Sequence, residues 1–281
     1  FLDNCTLAHY AEKHKDIRVY VDNHVDYSNG AHGWLSKNVL HKGLWRWCVK
    51  QIEPYVTKFY GVLPARVDFL RELYDIPKFK CELLVMGADD DLVIEANHPS
   101  VRGEIREKYG INDDDFLIMT GGKIDEWKTQ TLLLMEAVKS IKSYKVKLIV
   151  FGSVSPKLKE KVYDLADGKK IQYIGWANSK DSYKYFKAAD LVVFPGRHSV
   201  FWEQVAGQGI PMLVKDWAGT HHVDVGGNVG FLKENSAKEI QYCIEFLLSN
   251  PDKYNSMKKI AVDKAMKIFS YKDIAKRSLI D

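Results

Sequence analysis

The chain has 281 residues, 46% of them hydrophobic, and a formal charge of only +4, enough apolar content for one large core or two ordinary ones. No apolar run approaches the ~20 residues of a membrane-spanning helix, and the first residues lack the basic and apolar regions of a signal peptide. Lysines spread through amphipathic segments argue against a dedicated nucleic-acid surface. The scattered Cys5, Cys48, Cys81 and Cys243 form no CxxC pair, which points to reduced thiols in a cytoplasmic protein.

Phe1 to Lys15 reads as the end of a helix, and since Phe1 is not a Met the first domain is expected to be incomplete. Arg18 to Asp22 (RVYVD) has strand character and places His24 at a strand's C-terminal end; a lone His there fits a structural role as well as a catalytic one. A flexible polar loop, Tyr27 to Gly33, follows. Leu35 to Tyr60 reads as helical and aromatic-rich, Ala65 to Tyr74 as a helix, and Gly61 to Leu63 and Glu82 to Met86 as flanking strands. The acidic run Asp89 to Asp91 lacks the ligand spacing of a calcium loop and reads as a solvated turn.

From Glu95 to Asp115 apolar density falls and charge rises, the mark of a linker carrying one short helix. The boundaries that follow are an N-terminal, acceptor-side domain over residues 1–95, a linker over 96–115 and a second domain over 116–281. In this last part strands near Phe116–Met119, Lys147–Phe151, Ile171–Ile174, Leu191–Phe194, Met212–Val214 and Gly230–Leu232 alternate with helical periodicities. That alternation predicts an α/β fold with a parallel sheet covered on both faces. Ser155-Pro156 and Ser179 read as helix caps, and Ser236 to Glu239 as a capping box.

Chemistry gathers at the strand ends. Gly121-Gly122-Lys123 follows the first strand of the regular part, and Lys128 precedes the helix Thr129 to Ile141. Glycines let a backbone approach a ligand, and two lysines beside a helix N-terminus would neutralise a diphosphate. A tight turn with surface lysines accounts for them equally, and the GxxxxGK[ST] spacing of a Walker loop is absent. Gly152 after the second strand and Gly175-Trp176 after the third bring further glycines to the same sheet edge. After Leu191–Phe194 the chain turns through Pro195 and Gly196-Arg197-His198-Ser199 into a helix whose first turns carry Glu203. Taken alone, Glu203 is an acid favoured by the helix dipole.

The succession GGKIDEWK, VFGS, YIGW, AADLVVFPG and WEQVAGQGIP resembles the nucleotide-binding half of retaining glycosyltransferases of the GT-B fold, family four. The resemblance implies two Rossmann-like domains facing a cleft, and retaining transfer of a sugar from a nucleotide-diphosphate donor to a saccharide or lipid-linked acceptor in bacterial surface-polysaccharide synthesis. UDP-sugar is the first donor expected. No cofactor and no obligatory metal are implied, with peripheral contact at the inner face of the membrane left open. It further implies that Gly122-Lys123-Ile124 and Lys128 bind the diphosphate and that Glu203 contacts the ribose hydroxyls. RVYVDNHVD is similar to the strand end that brings a His near the donor, which makes His24 a catalytic candidate with Lys123 and Lys128. Gly121, Gly122, Gly152, Trp176, Gly196, Arg197, His198, Ser199 and Glu203 are the expected donor-binding residues. Pro195 stands where the family's first motif Glu falls, and Gly196 to Ser199 replace its usual loop. Two alternatives stay open: a non-hydrolysing sugar-nucleotide epimerase, with Asp22 and Asp26 as its carboxylates, and an inactive nucleotide-sugar-binding subunit.

Overall fold

A computed structural model describes residues 4–31 and 33–279, so Phe1 of the expected N-terminal helix and His32 of the expected polar loop lie outside the described residues. The chain divides into two compact units, one of residues 1–85 with 218–222 and one of residues 86–217 with 223–281.

The smaller unit holds a three-stranded parallel sheet, β1 (Val19–Asn23), β2 (Val56–Gly61) and β3 (Cys81–Leu83), in that spatial order. Helices α1 (Asn4–Lys13), α2 (residues 33–52) and α3 (Pro64–Glu72) accompany it. The helix expected to run from Leu35 to Tyr60 stops at Ile52, because Pro54 enters a short 3-10 turn, Glu53–Tyr55. Val56, Thr57, Phe59 and Tyr60 then continue as β2, where β-branched and aromatic side chains pack well. Helix α2 is continuous but π-helical over Ser36–Trp45. Its inner side buries His41, Cys48, Val49 and Ile52 against a core that includes Phe69 and Tyr74. Residues 218–222 join this unit, Gly219 (φ 76°) lying so close to Ala65 that a Cβ would meet the Ala65 Cβ at 2.5 Å.

The larger unit is built on a six-stranded, wholly parallel sheet: β4 (Phe116–Gly121), β5 (Val146–Phe151), β6 (Ile171–Tyr173), β7 (Leu191–Phe194), β8 (Met212–Lys215) and β9 (Val229–Leu232). Their spatial order is β6-β5-β4-β7-β8-β9. The winding therefore reverses between β4 and β7, the arrangement of a doubly wound sheet with a switch point. Both faces of the sheet are apolar, and strands such as Leu191–Phe194 are buried at every position.

Helices α4 (Asp90–Ala96), α5 (Pro99–Lys108), α6 (Gln130–Ser140), α7 (Pro156–Leu165), α8 (Ser179–Ala188), α9 (Phe201–Gly207), α10 (Ala237–Ser249), α11 (Pro251–Ile260) and α12 (Tyr271–Ser278) belong to this unit. The stretch 96–115 is drawn into it. Arg106 on α5 is buried and binds Asp190 (Nη1 to Oδ2, 3.3 Å) and the carbonyl oxygens of Asn112 and Asp115 (2.5 and 2.7 Å). Arg102 reaches the other Asp190 oxygen at 2.6 Å. Part of the charge that lowers the apolar density here, Arg102 and Arg106, is thus an internal anchor, while Glu104, Glu107 and Lys108 are exposed. Asp89 to Asp91 is solvent-facing, with Asp89 and Asp91 exposed, but opens a helix and is not a turn: Asp89 caps α4 by accepting from the amides of Asp91 and Leu92, and Asp90 accepts from Ser270 Oγ at 2.6 Å. Helix α8 is capped one residue earlier than expected, by Asn178, which accepts from the Asp181 amide at 2.8 Å. Ser236 does cap α10, but its Glu239 turns to the amides of Lys233 and Glu234.

Candidate functional site

The pocket lies in the larger unit at the switch point, between the C-terminal ends of β4 and β7. One wall is the turn Thr120 to Lys123 with Lys128 and the first residues of α6; the other is Phe194 to Arg197 with Ser199 and the start of α9. Its volume is about 170 Å3.

The glycine turn has a steric cause. Gly122 (φ 130°) and Gly152 (φ 129°) bring the β4 and β5 turns so close that a Cβ on Gly152 would stand 1.8 Å from the Gly122 carbonyl oxygen. On Gly121 it would meet the Phe151 ring at 2.3 Å. Beyond the turn Ile124 is pinned on both sides, its amide to the Ser153 carbonyl (2.8 Å) and its carbonyl to the Ser155 amide (2.9 Å). This clamp fixes where Lys123 and Lys128 leave the backbone.

Lys123 Nζ lies 2.9 Å from Asp125 Oδ2. The hydrogen bond from Lys123 holds the Asp125 carboxyl below the usual carboxylate range, its other oxygen accepting from the Trp127 amide at 3.0 Å. Lys128 lines the pocket half-buried. Helix α6 begins after Thr129 with no side-chain cap, and Gln130 and Thr131 of its first turn face the pocket. Its leading amides and the positive end of its dipole are therefore available to an anion. Gln130 Oε1 is buried with no hydrogen-bond partner among the described residues.

On the opposite wall the Gly196 carbonyl accepts from Trp217 Nε1 at 3.3 Å. Arg197 is exposed and Ser199 half-buried. His198 is outside the pocket lining, its Nε2 lying 2.7 Å from Glu203 Oε1 and its ring edge-on to Trp202. Glu203 is 0% exposed. Its carboxylate, implied by resemblance to contact a ribose, is outside the pocket lining and braces the Gly196 to Ser199 loop through His198.

Of the residues singled out from sequence, the fold gathers Gly121, Gly122, Lys123, Lys128, Gly196, Arg197 and Ser199 around one pocket. Gly152 packs against Gly122 of the turn that lines it, and Glu203, outside the lining, holds the Gly196 to Ser199 loop through His198. Trp176 stands 72% exposed beyond β6, outside the lining. His24 belongs to the smaller unit, exposed after β1, its carbonyl accepting from Asn29 Nδ2 at 2.9 Å. Nearby, Asp26 is buried in an ion pair with Arg66 (3.2 Å), a structural use of that carboxylate. Sequence reading missed Asp125 and Gln130. Asp125 had a signal, an acid two residues after a glycine-turn lysine; Gln130 had none, because an uncapped helix start shows only in three dimensions.

The sequence pattern of the family described as "Glycosyl transferases group 1" matches residues 101–264. The chain is 29% identical over 132 residues to the uncharacterized glycosyltransferase MJ1607 of Methanocaldococcus jannaschii; the match covers 46% of this chain and 32% of that relative, about a third of its length. In three dimensions it resembles Anabaena Alr3699/HepE, solved in complex with UDP, with a TM-score of 0.74 at 15% identity, over 98% of this chain and 74% of that one. It also resembles the UDP-GlcNAc 2-epimerase of Neisseria meningitidis bound to UDP-GlcNAc, with a TM-score of 0.62 at 14% identity, over 95% and 70% of the two chains. The α/β architecture with parallel sheets is of the GT-B type. The chain belongs to the glycosyl transferases group 1 family.

Proposed function

We propose that the protein transfers a sugar from a nucleotide-diphosphate donor, with UDP-sugar the first candidate, to a saccharide or lipid-linked acceptor. The anomeric configuration is retained, and the role is bacterial surface-polysaccharide synthesis at the cytoplasmic face of the membrane. The observation that carries this reading is the meeting, in one pocket at the switch point, of the Gly121-Gly122 turn, Lys128 and the uncapped start of α6.

In this reading the leaving diphosphate lies against the glycine turn, where no side chain keeps it from the backbone. Charge that develops on it as the bond to the sugar breaks is stabilised by Lys123, Lys128, Arg197 and the α6 amides. Asp125 holds the Lys123 ammonium in place. These cations supply the positive charge that a metal would otherwise bring, so the transfer is read as metal-independent and activity should survive EDTA. His24 and the acceptor belong to the same proposal.

The test is Lys128→Ala. Turnover should fall by roughly 2 to 4 kcal/mol in transition-state terms, as for other preorganised donors; unchanged kinetics would exclude the assignment. The epimerase reading shares the fold, as the Neisseria likeness illustrates. It is weakened here because Asp26 is occupied by Arg66. Incubating UDP-GlcNAc without acceptor separates the two: an epimer identifies the second, its absence with nucleotide release on adding acceptor the first.

A further inference from the structure

The pocket is lined by the cationic side chains of Lys123, Lys128 and Arg197, and no Asp or Glu is among its lining residues. Lys123 is committed to Asp125 at 2.9 Å, just outside the lining. With Lys128 it stands on the wall of the glycine turn, where the proposed diphosphate lies. Arg197 stands on the facing wall, exposed, with no ion pair among the described residues. A Cβ on Gly196 would lie 3.2 Å from Gln130 Oε1, so Arg197, next in the chain, enters the pocket at the corner where the two walls close. A neutral pyranose presents hydroxyls that both donate and accept, and carboxylates suit it because they accept. This pocket offers the reverse. The Lys128 ammonium and the Arg197 guanidinium only donate, and Gln130 Oε1 is the buried acceptor beside them, enough for one ligand hydroxyl.

We propose that the transferred sugar is acidic, a hexuronate whose carboxylate is held by Arg197. The proposal rests on the nucleotide-sugar reading above and names the class of sugar within it. A diphosphate against the glycine turn answers Lys128 and the α6 amides; the guanidinium on the other wall calls for a second anionic group, on the sugar side of the donor. Guanidinium presents its N–H groups in a planar fork that matches a carboxylate two to two, with bonds shorter and stronger than neutral ones. That pairing leaves further N–H groups for the leaving diphosphate. The carboxylate takes no part in the bonds that change: the bond from the anomeric carbon to the diphosphate breaks, an acceptor oxygen bonds to that carbon, and the acceptor proton passes to the diphosphate. Its part is to select the donor and fix its orientation in the pocket.

The test is calorimetric titration of the chain, without acceptor, with UDP and with two matched pairs of donors: UDP-glucose against UDP-glucuronate, and UDP-galactose against UDP-galacturonate. In at least one pair wild type should bind the uronate about tenfold or more tightly than its neutral counterpart, the scale of a charge-assisted pair of hydrogen bonds. Arg197→Gln should bring that ratio to about one. Arg197→Lys, which keeps the charge and loses the fork, should leave an intermediate ratio. Because the readout is a ratio, a general loss of affinity on changing Arg197, which also faces the diphosphate, does not imitate the effect. Equal affinity of wild type for both members of both pairs overturns the proposal without any variant, and so does a uronate preference that survives Arg197→Gln. In either case binding of UDP leaves the glycosyltransferase reading standing. Failure of UDP and of all four donors to bind overturns the UDP-sugar reading itself, and this proposal with it.

Discussion

Gln130 and Glu203 show how two polar side chains in one region do opposite work. Gln130 Oε1 is buried at the pocket with no partner among the described residues, a cost of about 1 to 3 kcal/mol that a ligand hydroxyl or amide could relieve. Gln130→Leu should therefore leave the melting temperature unchanged or raise it, while weakening UDP binding by about 1 kcal/mol; calorimetry and a melt on the same variant check both. Glu203 is wholly buried with its Oε1 on His198. Glu203→Gln keeps an acceptor toward His198 but loses the charge, so stability should fall by about 1 to 2 kcal/mol. Donor affinity should fall with it, because the Gly196 to Ser199 loop loses its brace. A fall in affinity at unchanged stability would instead favour direct contact of Glu203 with the ribose.

At the scale of elements, the turns after β4 and β5 are held in register by having no side chains. Gly152→Ala would combine a φ of 129° with a Cβ 1.8 Å from the Gly122 carbonyl oxygen. The backbone conformation alone costs roughly 1 to 3 kcal/mol, and the clash adds to it. The variant should lose nucleotide binding and unfold at lower urea, whereas Gly168→Ala, whose Cβ would meet nothing within 4 Å, should keep binding and lose only conformational energy. All six strands of the larger sheet were legible between turn residues, and the signal was unbroken in an inner strand such as β7, which is buried on both faces. The helix over 33–52 was legible at its start only: apolar and aromatic density continued through Pro54 into β2, where periodicity cannot separate helix from strand. The 96–115 stretch misled for a different reason. Its charges read as solvated, and a side chain such as Arg106, which donates to four internal acceptors, has no mark in the sequence. The pocket was legible as glycines and lysines at strand ends. The pairings that tune it, Lys123 with Asp125 and His198 with Glu203, depend on side-chain direction.

For the molecule as a whole, buried tyrosines set the alkaline limit. Burial pushes Tyr74 of the smaller unit and Tyr183 of the larger up to about 12, from an ordinary value near 10. A group whose folded value is raised contributes stability that is fully present below its unfolded value and lost as pH rises through the folded one. Melting temperature should hold up to about pH 10 and fall between there and about pH 12. Absorbance titration should show two classes of tyrosine, the later one ionising with unfolding; a single class near 10 would contradict the burial of these hydroxyls.

The reversal of winding has a mechanical consequence. Strands β4 and β5 pair along their whole length, from Phe116 with Val146 to Gly121 with Phe151. Across the reversal β4 meets β7 only at Ile118 with Leu191 and Met119 with Val192. The sheet is therefore two well-stitched halves joined by its shortest seam, and the pocket opens at the end of that seam with one wall on each half. A diphosphate seated there would act as a rivet. Occupancy should slow hydrogen exchange along β4 and β7 more than at the outer strands, and the weakest line of the domain would then be closed by the donor proposed for it.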